Sequence, residues 1–130
     1  MGFLSKAFRR RSRVEPHGLW SDDQEQLDRF AARGADITAP REIELFVSFS
    51  SDVRANAAAE DLRAKRIRHE LVEPSHDIPE WMLFVRSYGL PVVPDHLRDL
   101  IDLCEDIAER HGGEYEGWAA LLTDEEKAED

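Results

Sequence analysis

Five histidines, one cysteine and 28 carboxylates are the side chains with which this chain of 130 residues could do chemistry. A metal centre would need a spacing such as HExxH or paired cysteines. His17, His69, His76, His96 and His111 form no such spacing. His76 beside Asp77 lies in the turn-forming run Pro74-Ser75-His76-Asp77, and His69 sits in an alternating strand pattern where packing or a hydrogen bond accounts for it. His111 closes a helical run, where a cation suits the helix dipole. Cys104 has Asp102, Glu105 and Asp106 close in sequence, which raises a thiol pKa and does not activate it. Ser48, Ser50 and Ser51 stand in no GxSxG elbow, and no glycine loop is built to cradle a phosphate. The residue types therefore point away from an enzyme, a metal or a cofactor and toward a binding protein.

The elements that would carry these residues follow from periodicity. Residues 21–34 read as a helix with Ser21 as N-cap, Gln24 completing a capping box and Gly34 as the stop. Residues 42–49 alternate, with Ile43, Leu45, Val47 and Phe49 on one face, which is a half-buried strand. An Ala-rich helix spans 50–64, and strands follow at 66–73 and 80–88, joined as an antiparallel hairpin. From Leu97 to Ala108 the apolar positions keep helical spacing, and Gly112 and Gly113 end that helix. A last strand, interrupted at Gly117, runs over 114–122.

That order predicts an α+β fold: a ferredoxin-like βαββαβ sandwich over a mixed four-stranded sheet, with an extra N-terminal helix. Residues 1–20 read as a basic, flexible tail, 21–122 as the domain and 123–130 as an acidic tail. Both main helices should cover one sheet face. The other face carries Phe46, Val72, Met82 and Phe84, too apolar to be left wholly in water. The N-terminal helix, the C-terminal segment or a partner should cover it.

The net charge is −11. Of the 17 basic side chains, five (Lys6, Arg9, Arg10, Arg11 and Arg13) lie in residues 1–13 with no acid, leaving 12 against 28 acids and a net −16 over the rest. So acidic a body repels phosphate backbones, which disfavours direct nucleic-acid binding by the folded domain, and it attracts cationic partners. No apolar run approaches the roughly 18 residues of a membrane span. MGFLSKAFRRRSR lacks the apolar stretch and cleavage site of a signal peptide. With a single cysteine, these features make a reducing cytoplasm the expected location.

One segment, HGGEYEGWAALL, is more particular than its neighbours. Tyr115 and Trp118, flanked by Glu114 and Glu116, could form a hot spot for a basic partner. The simpler reading packs the rings into the core while Gly117 permits a tight bend.

Taken with what precedes it, that segment resembles the RraB family, regulators of ribonuclease E activity of type B. The resemblance runs through Asp36, Pro40, Arg41 and Ile43 in the lead into the first strand, Phe49 at its end, and Trp81 in the strand pair. It is most specific in Gly112, Gly113, Glu114, Tyr115, Glu116, Gly117 and Trp118, and covers roughly residues 20–122. The sequence departs from the family pattern at Lys65-Arg66, where a glycine is expected, at Glu116 in place of Asp, and in its basic head. The resemblance implies a ferredoxin-like, non-catalytic protein that binds the endoribonuclease RNase E and inhibits it, and an acidic domain is suited to dock on a basic, RNA-binding segment of such an enzyme. An acidic adaptor or immunity-like module for another basic protein is the alternative.

Overall fold

The computed structural model describes residues 12–128. A short hairpin, β1 (Arg13–Val14) and β2 (Leu19–Trp20), leads into α1 (Ser21–Ala32). Then come β3 (Arg41–Phe49), α2 (Asp52–Ala64), β4 (His69–Val72), β5 (Trp81–Leu90), α3 (Pro94–His111), β6 (Glu114–Ala120) and α4 (Asp124–Ala128). The main sheet has the order β4-β5-β3-β6, and every neighbouring pair is antiparallel. The expected mixed sheet is thereby corrected. Each helical crossover, β3-α2-β4 and β5-α3-β6, passes over one intervening strand, so parallel strands never lie side by side.

β3 is the central spine because its odd positions from 43 to 49 are apolar: Ile43, Leu45, Val47 and Phe49 are all buried. They meet Leu83 and Val85 of β5 and the inner faces of two helices. α2 brings Ala55, Ala58, Ala59 and Leu62, and α3 brings Leu97, Ile101, Cys104 and Ile107. The alanines let α2 lie close to the sheet, since no long side chain holds it away. Ser51 caps α2 by accepting from the Arg54 N–H, Pro94 opens α3, and Gly112 ends it in the left-handed conformation at φ 70°.

Both termini depart from the sequence reading. Residues 12–20, expected to be tail, include the hairpin: Leu19 is fully buried, and Trp20 Nε1 donates to Glu105 Oε2 at 2.7 Å. Arg13 stacks over the Trp20 ring at 4.2 Å and pairs with Asp102 at 3.1 Å. The acids of α3 thus tether a basic residue that composition alone assigned to a solvated head. The rest of that head, residues 1–11, lies outside the described residues. α1 begins at Ser21 with Trp20, not Ser21, as its N-cap, and the Ser21 N–H donates to the Ser12 carbonyl at 2.9 Å.

At the other end Thr123 and Glu126 form a reciprocal cap, with Thr123 N donating to Glu126 Oε1 at 3.0 Å and Glu126 N to Thr123 Oγ1 at 3.2 Å. The segment read as a polar tail contains a helical turn locked onto the domain.

Candidate protein-binding surface

Asp36 and Arg41 form a structural knot. Arg41, its side chain 1% exposed, donates to Glu126 Oε1 at 2.7 Å and Oε2 at 2.9 Å, to the Leu121 carbonyl at 3.1 Å and to the Asp36 carbonyl. Its guanidinium lies 4.8 Å from the Phe30 ring centre. Asp36 Oδ1 in turn accepts from the Thr38 N–H and hydroxyl, which hold its carboxyl below the usual range. The Arg41 hydrogen bonds, helped by the Thr123 and Asp36 N–H groups, push Glu126 down to about 2. This knot ties the start of β3, the end of β6 and α4 together.

The other family-like residues are also built into the frame. Phe49 is buried at the end of β3, and Trp81 stands opposite it on β5, packed against the core. Gly113 lies so close to Phe49 that a Cβ would fall 2.5 Å from its ring and 2.6 Å from the Ser48 carbonyl. Tyr115 and Trp118 are 1% and 3% exposed, opposite Val47 and Leu45. Glu114 is half-buried opposite Ser48, and Gly117 stands opposite Phe46 with φ 146°.

What these residues leave open is the sheet face turned away from the two main helices. Phe46 and Phe84 stand opposite each other there as an edge-to-face pair, 5.4 Å between ring centres. Met82 pairs with Val72 across the β4-β5 ladder, and Val72 is exposed. Phe46, Met82 and Phe84 are half-buried and lie outside the buried core cluster. Around them stand carboxylates. Arg86 donates to Glu44 at 2.8 Å and pairs with Glu70 at 2.9 Å, and Ser48 Oγ donates to Glu116 Oε2 at 2.6 Å. Glu44, then Glu70, raise the Arg86 pKa. α1 does not cover this face; it lies by the edge of β6, where Gln26 Nε2 donates to the Trp118 carbonyl at 2.6 Å. α4 sits over the Arg41 knot.

A family model described as regulator of ribonuclease activity B, RraB, matches residues 20–119. The chain belongs to the RraB family. No curated protein and no solved structure matches it.

Several other titratable groups of this RraB-family domain are tied into its frame. His111 Nε2 lies 3.0 Å from Asp61 Oδ2, joining Asp61 to Arg110 at 3.1 Å and Lys65 at 3.4 Å. The His111 hydrogen bond, then Arg110, lower the Asp61 pKa. Burial, with Glu105 adding to it, pushes the Cys104 thiol up to about 12. His69 Nδ1 lies 2.8 Å from the Ile67 carbonyl. His76 and Asp77 are exposed, and no group of three or more metal-ligating side chains is found among the described residues. No helix among them is long and apolar enough to cross a membrane.

The aromatic pair Phe46-Phe84 was visible in sequence only as an apolar second face. Its acidic frame was not, because Glu44, Glu70 and Glu116 come from three different strands. The Thr123-x-x-Glu126 capping box was a legible signal that the sequence reading passed over.

Proposed function

We propose that this domain is a non-catalytic inhibitor of an RNase E-type endoribonuclease in the cytoplasm. The open sheet face would dock on a basic segment of the nuclease. Family membership supports the class of function. The observation that carries the surface is an aromatic patch, Phe46 with Phe84, half-buried on the sheet face away from the two main helices and framed by Glu44, Glu70 and Glu116. Such a patch suits a partner segment that offers arginines to the acids and an apolar anchor to the rings. Occupying an arginine-rich, RNA-binding segment competes with RNA without any chemistry by the inhibitor. The strand order β4-β5-β3-β6 with two helices in corresponding positions supports the ferredoxin-like reading of the scaffold.

The test is a binding titration and an RNA-cleavage assay with the cognate ribonuclease at low salt. The domain should bind and slow cleavage. Phe46→Ser with Phe84→Ser should weaken binding by about tenfold or more while the core stays folded. Absence of binding and of slowing at low salt would overturn the reading. A pull-down that recovers a different basic protein would favour the adaptor alternative.

A further inference from the structure

The acidic body has a basic corner. Arg63, Lys65, Arg66 and Arg68 follow one another from the end of α2 toward β4 with no acid among residues 63–68. Arg63, Arg66, Arg68, Arg86 and Tyr88 line an open groove of about 440 Å³. Their charges are not equally committed. Arg86 is held between Glu44 and Glu70. Arg63 pairs with Glu60 at 2.8 Å, but both side chains are about two-thirds exposed, so salt and water weaken that pair. Arg66 and Arg68 have no carboxylate partner among the described residues.

Beside these two cations stands an exposed ring. Tyr88 is 45% exposed, and the Arg68 guanidinium lies 4.8 Å from its ring centre. Cations tracking a backbone beside an aromatic on which a base can stack are the two parts of a single-strand site. Arg66 adds a third sign. It holds φ 58° at the end of α2, a conformation that glycine adopts freely and arginine does not. The chain keeps a strained cation at a position where the fold would be relaxed by Gly.

We propose that this corner contacts single-stranded RNA, with Arg63, Arg66 and Arg68 on phosphates and one base stacked on Tyr88. The net charge of the body argued against any such contact. Over a Debye length of about 8 Å, however, a local cluster governs the potential at its own surface. Acids beyond that reach weaken the affinity without abolishing it, and those within it, Glu44, Glu60 and Glu70, are already paired with Arg86 and Arg63. An acidic peptide would satisfy the arginines but has no use for the ring, which is why RNA is favoured.

The experiment uses the full chain alone, without any ribonuclease, so its outcome is independent of the inhibitor reading. Binding of a labelled uridine 12-mer is followed by fluorescence anisotropy between about 25 mM and 200 mM salt. The wild type should bind, with a slope of log K against log salt of about −2, from about 0.7 for each of three phosphates. Arg66→Gly with Arg68→Ala should flatten that slope to about −0.7. Tyr88→Ala should weaken binding by about fivefold or more with the slope unchanged. Arg66→Gly alone relieves the backbone strain, so weaker binding by a variant at least as stable as wild type cannot come from unfolding. No binding at the lowest salt overturns the proposal. So do variants that bind as the wild type does, which would assign binding to the basic residues of the N-terminal head. An oligoglutamate peptide that binds as tightly as RNA, and does so equally in Tyr88→Ala, would overturn it in favour of an acidic protein partner.

Discussion

Tyr115 and Trp118 stand three positions apart on β6, yet both are buried, opposite Val47 and Leu45 of β3. A regular strand alternates faces, so residues three apart should point to opposite sides. The register explains the exception. Phe46 is opposite Gly117 and Val47 is opposite Tyr115, so Glu116 is an extra residue that shifts the alternation by one. The bulge puts both rings into the core and leaves Glu116 bonded to Ser48.

Gly117 makes that bulge possible. Nothing lies within 4 Å of where its Cβ would be, so any cost of substitution comes from its backbone at φ 146°. Gly117→Ala should destabilise the domain by about 1–3 kcal/mol in urea unfolding with an unchanged m-value. A neutral result would mean that the strand reaches the same register without glycine.

Gly113 is constrained for a different reason. Its Cβ would collide with the Phe49 ring and the Ser48 backbone, neither of which is a flexible tip. At Gly112 the nearest atoms to a Cβ belong to the long Arg54 side chain, and the position needs glycine for its φ of 70°. Gly112→Ala should therefore cost about 1 kcal/mol and Gly113→Ala about 2–3 kcal/mol or more. Thermal midpoints of the two variants in one buffer settle the order, and equal losses would contradict it.

Trp118 fills the core next to Leu45, so removing its ring leaves a large cavity. Trp118→Ala should cost about 3–5 kcal/mol and reduce the yield of folded protein. Trp118→Phe, which keeps most of the packing, should cost less than half as much. A Trp118→Ala variant with an unchanged midpoint that lost its ribonuclease would instead mark the ring as a contact.

How much of this was legible in sequence depended on whether the signal was local. The β3 alternation and the Leu97–Ala108 spacing are each set by one stretch of chain, and both were readable. The direction of sheet pairing is not local. It follows from where the two crossovers land, so the mixed sheet was an error of topology, not of element type. The hairpin at Arg13–Trp20 was hidden for a similar reason. Leu19 and Trp20 are too few to show a period, and the partners of Arg13 and Trp20, Asp102 and Glu105, lie more than eighty residues away. The Arg66-Arg68-Tyr88 corner was masked by averaging: a net charge describes the whole chain, and a binding site is a few side chains.

The Arg41–Glu126 pair gives a pH-dependent prediction with a defined sign. Glu126 is held at about 2 in the folded chain, below its ordinary 4.5. Its contribution to stability is therefore complete above about 4.5 and is lost as pH falls toward about 2. Asp36 and Asp61 are also lowered, so the raw acid sensitivity of the protein is a sum of several groups. The difference between wild type and Glu126→Gln isolates the one of interest. That difference should be largest near pH 7 and shrink steadily between about pH 4.5 and 2. Arg41→Met should cost about 3 kcal/mol at pH 7, because it leaves the Glu126 carboxylate without its buried partner. Arg41→Met with Glu126→Leu should recover part of that loss, since apolar packing replaces both charges. Urea unfolding at pH 7, 4 and 3 measures all three variants. A Glu126→Gln difference that stays constant across that range would show that α4 contributes packing alone.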